Sequence, residues 1–151
     1  KRENVDLATL LREVVELHAI QPPASVVLEG AMPVLHTDRV ALQQVLMNLI
    51  GNALKHARRP DVQVTVSVAD AAALWEFAVS DNGPGIPPAF QQRLWGIFQT
   101  LHERDKFEST GIGLAIIKKI VEARGGSAIS ESDGVHGATF RFTWPKRDEL
   151  T

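Results

Sequence analysis

Val62-Gln63-Val64-Thr65-Val66-Ser67-Val68 alternates apolar and polar side chains at every step, and Leu74-Trp75-Glu76-Phe77-Ala78-Val79-Ser80 follows after a short break. Period-two alternation places each set of side chains on one face of an extended chain. The two stretches therefore predict a β-hairpin with one buried face. The second strand runs into Asp81-Asn82-Gly83-Pro84-Gly85-Ile86. A carboxylate at a strand end, followed by two glycines, suits close approach to a flat polar ligand, because glycine tolerates distances that a Cβ forbids. Asp-Asn-Gly is also an ordinary turn sequence, so taken alone this stretch leaves both readings open.

Helices flank the hairpin in sequence. Leu7, Leu10, Leu11, Val14 and Leu17 recur at helical spacing with Asp6 as N-cap, and Pro22-Pro23 is the expected stop. Val26-Val27-Leu28 suggests a short strand. Thr37 or Asp38 caps a long helix running to about Ala57, broken by Arg58-Arg59-Pro60-Asp61. Pro87-Pro88 opens a short helix through Trp95, and Gln99 to Ser109 is charged and irregular. A further helix spans about Ile112 to Arg124, stopped by Gly125-Gly126. Two last strands follow, Ala128–Ser132 and Ala138–Trp144, joined at Asp133-Gly134. The sum is an α/β (α+β) two-layer sandwich: a mixed, mostly antiparallel sheet of about five strands with helices on one face.

The bulk numbers bound the function. A chain of 151 residues with 44% hydrophobic and 23% charged residues fits one soluble domain with a real core. A formal net charge of −2 does not point to nucleic acid or an anionic membrane as partner. The absence of cysteine excludes disulfides, thiolate catalysis and zinc–thiolate sites, and fits a reducing compartment. No apolar run approaches a membrane span of about 18 residues. The chain begins at Lys1 without methionine and reads as a piece of a longer protein.

Two further features carry chemistry. On the 38–57 helix, Asn48, Asn52 and Lys55 fall within about 60° of one face at about 100° per residue. Leu42, Leu46, Leu49, Ile50 and Ala53 take the opposite, core side, and between Arg39 and Lys55 there is no charged side chain. A solvated helix face normally carries Lys and Glu, and asparagine is a mediocre helix former. The amides are either ordinary surface residues or a polar wall for a metal and phosphates, since an amide oxygen suits Mg²⁺ and a lysine suits phosphate. Ser109-Thr110-Gly111-Ile112-Gly113-Leu114 opens the next helix. Its free N–H groups and dipole would favour an anion, although a lone Gly-x-Gly also serves as entry to a core helix. No Gly-Lys-Ser/Thr follows, so it is not a P-loop, and the glycines do not join the first strand of a βαβ unit to its helix.

Together these motifs resemble those of sensor histidine kinases. Asn48-Leu49-Ile50-Gly51-Asn52-Ala53-Leu54-Lys55-His56 is similar to the asparagine box, Asp81-Asn82-Gly83-Pro84-Gly85 to the first glycine box, and Gly111-Ile112-Gly113-Leu114 to the second. Ile97-Phe98 stands where the phenylalanine box belongs, and Gly137-Ala138-Thr139-Phe140 resembles the final strand motif. Order and spacing agree from about Val5 to Pro145. Leu101-His102 with Thr110 to Ala115 resembles the phytochrome-like branch. The resemblance implies a Bergerat-type fold binding ATP and Mg²⁺, with residues 99–110 as an ATP lid.

Within that picture Asp81 would accept a hydrogen bond from the adenine amino group. Asn52, with Asn48 beside it, would ligate Mg²⁺, and Lys55 would meet phosphate oxygens. Asn48 and Lys55 are the catalytic candidates. His56 lies beside the nucleotide in this picture, and Gly83, Gly85, Ile86, Phe98, Ile112, Leu114 and Thr139 line its site. Gly111 and Gly113 would admit backbone amides to the phosphates, and Arg104 or Lys106 would reach the γ-phosphate. Ser109 stands where the family often has glycine, which implies a stiffer lid hinge. Related ATPases carry Glu at the place of Asn48 as general base for water; an amide cannot take a proton, which favours transfer to a side chain over hydrolysis.

Anti-sigma-factor-type serine kinases, ATP-hydrolysing members of the superfamily and a degenerate binding module are the alternatives. His18, His36, His102 and His136 lack the context of a phosphoacceptor. The acceptor is therefore expected on a histidine-containing dimerisation domain, most simply one before Lys1, with residues 1–20 as the connecting first helix. A response regulator would be met indirectly. The expected location is cytoplasmic, including the cytosolic part of a membrane-bound sensor, without direct membrane insertion.

Overall fold

The computed structural model describes residues 1–57, 59–87, 114–132 and 136–146. In chain order the elements are β1 (Glu3–Asp6), α1 (Leu7–Leu17), β2 (Ser25–Glu29), β3 (Val34–Thr37), α2 (Arg39–His56), β4 (Gln63–Ala71) and β5 (Leu74–Asp81). Helical residues 114–123 form α3, followed by β6 (Ala128–Glu131) and β7 (Thr139–Pro145). The main sheet runs β2-β4-β5-β7-β6. β2 pairs parallel with β4, and every other neighbour in this sheet is antiparallel. The expected hairpin is present in the register Val66↔Val79 and Val68↔Phe77.

Alternation decides which face packs. Val64, Val66, Phe77, Val79, Phe140, Phe142 and Trp144 are buried, whereas Thr65, Ser67, Arg141 and Thr143 on the alternate positions are only half-buried. The Phe77 and Phe142 rings stack at 4.5 Å across the β5–β7 pair, and Trp144 meets Phe142 edge-on at 6.2 Å. Leu7, Leu10, Leu11 and Val14 of α1, the apolar stripe of α2, and Leu114, Ile117 and Val121 of α3 complete this core. Each fully buried aliphatic or aromatic side chain contributes about 1.5–3 kcal/mol by leaving water. Fold and layers are those anticipated: a mixed five-stranded sheet with the helices on one face.

Two local features differ from the sequence reading, and a third decides between its alternatives. First, α1 ends at Leu17, before the proline pair: Ala19 takes φ 51 and its N–H bonds Glu16 O at 3.0 Å. Second, β1 and β3 form a separate two-stranded antiparallel ribbon, Val5 opposite Leu35. These strands are four residues each, with only Val5 buried in one and Leu35 and Thr37 in the other, too short a pattern to register as alternation. Third, of the two candidate caps, Asp38 is the N-cap of α2, its Oδ1 accepting from Ala41 N at 3.2 Å. The expected 87–95 helix beyond Pro87, the 99–110 lid and the Asp133-Gly134 turn lie outside the described residues.

α2 is fixed at its far end and along its flank. Asp38 Oδ2 accepts from Arg124 at 3.2 Å, and that guanidinium sits 5.3 Å over the Trp144 ring. Trp144 Nε1 donates to Thr37 Oγ1 at 2.9 Å. Along the flank, the His18 ring packs on Gly51, where a Cβ would come 2.9 Å from Cε1, and Nε2 lies 3.0 Å from Met47 O. This anchoring directs the last two turns of α2 toward the end of β5.

Candidate functional site

Asp81 closes β5, and its surroundings are shaped by close backbone packing. Its Oδ1 accepts from Gly83 N at 2.8 Å, and its own N–H donates to Ala138 O at 3.0 Å. Burial pushes the Asp81 carboxyl above its ordinary value, opposed by hydrogen bonds from the Gly83 and Ala138 backbones. The side chain is thus a shielded carboxylate held in place by backbone N–H groups. Next to it, Ser80 Oγ and Thr139 Oγ1 lie 2.9 Å apart, which brings Thr139 to the same end of the sheet.

Two glycines make this geometry possible. A Cβ on Gly83 would stand 2.5 Å from Ala57 Cα, so the loop after β5 lies directly on the C-terminal end of α2. A Cβ on Gly137 would stand 2.1 Å from Asp81 O, and Gly137 has φ 81, a left-handed conformation that favours glycine. Asn82 is occupied structurally. Its Oδ1 accepts from Gln63 N at 2.9 Å, and its carbonyl accepts from Arg59 at 2.8 Å, holding the start of β4 to the end of β5.

The Gly83–Ala57 approach brings the end of α2 beside Asp81. Asn52 is buried at 6% exposure, and its Nδ2 has no hydrogen-bond partner among the described residues. A buried polar atom without a partner costs free energy unless something binds it. Asn48 is half-buried and its Nδ2 donates to Gln44 O at 2.9 Å, which engages the donor end of that amide. Lys55 is exposed and His56 half-buried in the last turn, where positive charge also suits the helix dipole.

Among the other sequence candidates, Gly85 is half-buried with φ 88, and the Ile86 side chain joins the core while its N–H bonds Ser132 Oγ at 2.9 Å. Leu114 is fully buried at the start of the described part of α3. Phe98, Arg104, Gly111, Ile112 and Gly113 lie outside the described residues. Asp81, Gly83, Thr139 and the Asn52–His56 turn are therefore gathered at one end of the sheet. Sequence reasoning missed the contribution of Ser132 and the contact of Gly137 with Asp81; for Gly137 the only signal was its place in the final strand motif.

A sequence-family model described as "Histidine kinase-, DNA gyrase B-, and HSP90-like ATPase" matches residues 37–148. The chain belongs to that family. The phytochrome-like protein Cph1 of Synechocystis is 43% identical over 116 residues, covering 77% of this chain but 16% of that protein. The catalytic domain of histidine kinase ThkA, in a nucleotide-free form, superposes with a TM-score of 0.80 at 26% identity, covering 99% of this chain and 98% of that one. ThkA has also been solved in complex with the response regulator protein TrrA, where the match has a TM-score of 0.76 at 25% identity and covers 99% of this chain and 43% of that one. This is an ATP-binding catalytic domain of the histidine-kinase type. No helix among the described residues is long and apolar enough to cross a membrane.

Proposed function

We propose that this histidine-kinase domain, residues 1–151 as a single unit with residues 99–110 as its lid, binds ATP with Mg²⁺ and donates the γ-phosphoryl group to a histidine on a dimerisation domain. Support comes from one juxtaposition. A shielded carboxylate on β5 and a buried, unpartnered amide on α2 sit on elements that meet at the Gly83–Ala57 contact. The first suits the amino group of adenine, and the second suits a ligand carrying charge of either sign.

The residues present fit a magnesium ion. Among the described residues no three His, Asp or Glu side chains cluster as a metal site. Mg²⁺ in phosphoryl-transfer sites is held by few protein oxygens together with phosphates and water, and the Asn52 amide offers such an oxygen once its head group is oriented to a ligand. Which end of an amide faces a ligand is set by its hydrogen bonds, and no bond to Asn52 Nδ2 among the described residues fixes its head group. Asn48 stands one turn before it. When bound, the ion would neutralise charge on the β- and γ-phosphate oxygens.

The chain's own residues then bind and orient. Asp81 selects the base, Lys55 meets phosphate oxygens, His56 flanks the nucleotide, and Thr139 lines the base pocket beside Ser80. Gly111 and Gly113 admit backbone amides to the phosphates, and Arg104 or Lys106 on the lid reaches the γ-phosphate. Transfer forms a bond from the acceptor imidazole nitrogen to the γ-phosphorus and breaks its bond to the bridging oxygen, which leaves with ADP. Such transfer depends on positioning and charge stabilisation, so no nucleophile is needed in this domain. The acceptor domain belongs to the same protein, the response regulator receives the phosphoryl group from it, and the reaction runs in the cytoplasm.

ATP titrations with and without Mg²⁺ against wild type, Asp81→Asn and Asn52→Ala test the site, each substitution being expected to weaken binding. Unchanged affinity in Asp81→Asn sinks the assignment of the base pocket. Labelled ATP supplied with a separate histidine-containing domain is expected to yield acid-labile phosphohistidine. Steady phosphate release without an acceptor would favour hydrolysis instead.

A further inference from the structure

Ser132, just past β6, joins two segments that flank Asp81. Its hydroxyl accepts from Ile86 N at 2.9 Å and donates to Gly137 O at 2.7 Å. One serine hydroxyl has a single proton and accepts through its lone pairs, so both contacts use it in its natural polarity. The loop after β5 has few N–H groups with which to be held, because Pro84 and Pro87 have none. Gly83 N–H is taken by the Asp81 carboxylate and Ile86 N–H by Ser132. The circuit closes through Gly137, which abuts Asp81 O, and through the Asp81 N–H bond to Ala138 O at 3.0 Å.

Without Ser132 Oγ, the buried Ile86 amide and the Gly137 carbonyl both lose this partner. The Gly83–Ile86 loop then loses one of its ties to the last hairpin, while the contacts through Asp81 remain. The Gly83 N–H that orients the Asp81 carboxylate sits on that loop. We propose that Ser132 is a positioning residue for base recognition, its hydroxyl clamping the loop to Gly137, which leads into β7, so that the Asp81 carboxylate is presented at a fixed angle. This inference rests on the reading of Asp81 as the adenine-selecting group. An oriented carboxylate accepts from the adenine amino group and repels the carbonyl that guanine carries at the same place, so the clamp acts on discrimination as well as affinity.

The test uses the 151-residue chain in wild-type form and as Ser132→Ala, Ser132→Cys, Ser132→Thr, Asp81→Asn and Thr143→Val. ATP and GTP dissociation constants, thermal midpoints and amide hydrogen exchange at Ile86 are measured for each. Ser132→Ala is expected to raise the ATP dissociation constant about tenfold, with less change for GTP, and to speed Ile86 exchange by a similar factor. Ser132→Thr, which keeps the hydroxyl, restores both. Ser132→Cys, which keeps a weak donor and acceptor, falls between and also serves if the alanine variant does not fold. Thr143→Val removes the oxygen that accepts from Ser127 N at 2.8 Å at the other end of the same hairpin. It should lower the midpoint and leave the ATP-to-GTP ratio unchanged.

The inference is overturned if Ser132→Ala and Ser132→Cys lower the midpoint as Thr143→Val does but leave that ratio intact, or if Ile86 exchange does not respond. The two failures separate through Asp81→Asn. If that variant loses discrimination and the Ser132 variants do not, only the positioning role falls. If it loses none, the base-pocket reading falls with it.

Discussion

Replacing Gly137 with alanine is the sharpest mechanical test of how the site is assembled. An ideal Cβ there would lie 2.1 Å from Asp81 O and 3.1 Å from its carbonyl carbon, and the backbone has φ 81. The obstacle is main chain, so no side-chain rotamer relieves it. Moving the contact from 2.1 Å to the 3.0 Å below which Cβ atoms are essentially never found displaces β7 from β5 at this point. The Asp81 N–H bond to Ala138 O, already 3.0 Å, is then lost. The left-handed conformation costs about 1–2 kcal/mol for a residue with a Cβ, and the lost bond adds about 0.5–1.5 kcal/mol. At about 2–4 °C per kcal/mol for a domain of this size, the midpoint falls by about 3–14 °C. Gly30→Ala provides the control, because Gly30 has φ 80 with nothing within 4 Å of its would-be Cβ. It carries the conformational cost alone, about 2–8 °C by the same conversion. Differential scanning calorimetry gives both midpoints, and ATP titration below them gives the functional consequence: weakened in Gly137→Ala, unchanged in Gly30→Ala. Equal midpoints and equal affinities in the two variants would refute the argument that close β5–β7 approach shapes the Asp81 pocket.

Asp81→Asn should weaken ATP binding about 10- to 150-fold, the loss of one hydrogen bond to a charged acceptor worth about 1.5–3 kcal/mol, as isothermal titration will show. The same variant should be more stable than wild type near neutrality without nucleotide. Burial raises the Asp81 pKa, so its stabilising contribution is present below the unfolded value of about 3.9 and is lost as pH rises through the folded value. The gap between the two thermal midpoints should therefore open above about pH 4, and a gap constant from acid to neutral pH would contradict it. Asn52→Leu removes a buried amide whose Nδ2 has no partner among the described residues, so the nucleotide-free domain should gain about 1–3 kcal/mol in urea denaturation while its Mg²⁺-dependent ATP affinity falls. Arg124→Met deletes the ion pair to Asp38 and the contact over Trp144, and should cost about 1–3 kcal/mol in the same assay.

Much of the fold was legible because its signals are local. Val62 to Val68 and Leu74 to Ser80 alternate over enough residues to define strands and a buried face. Leu42, Leu46, Leu49, Ile50 and Ala53 mark one stripe of α2, and all five are buried. Asp81 was legible as a candidate because a strand end, a carboxylate and two glycines coincide. What the glycines do not report locally is that Gly83 also leaves room for Ala57. That contact joins residues from different parts of the chain, and no local pattern reports it. Ser132 escaped notice for the same reason: a serine after a short strand is unremarkable until its hydroxyl is found between Ile86 and Gly137. The β1–β3 ribbon also depends on pairing across a helix and a strand, between segments too short to show a period.

The two walls of the site differ in how completely their polar groups are satisfied, and the difference matches what each is asked to do. On the β5 side the described contacts link most of the polar groups: Asp81 with Gly83 and Ala138, Ser132 with Ile86 and Gly137, Ser80 with Thr139. A wall that must discriminate one flat base from another gains from such rigidity, since selectivity is a difference of affinities and a yielding carboxylate would accommodate both. On the α2 side the helix is anchored at its start through Asp38 and Arg124 and along its flank through the His18–Gly51 contact, while Asn52 keeps a buried nitrogen without a partner among the described residues. An amide already satisfied by protein groups would have to surrender a bond before turning its oxygen to an ion. One without such a bond turns at little cost, and in the proposed reading phosphate oxygens would supply the acceptor that its nitrogen lacks. The short approach of Gly83 to Ala57 joins these two walls, so that in the proposed function the end of α2 and the end of β5 work as one site.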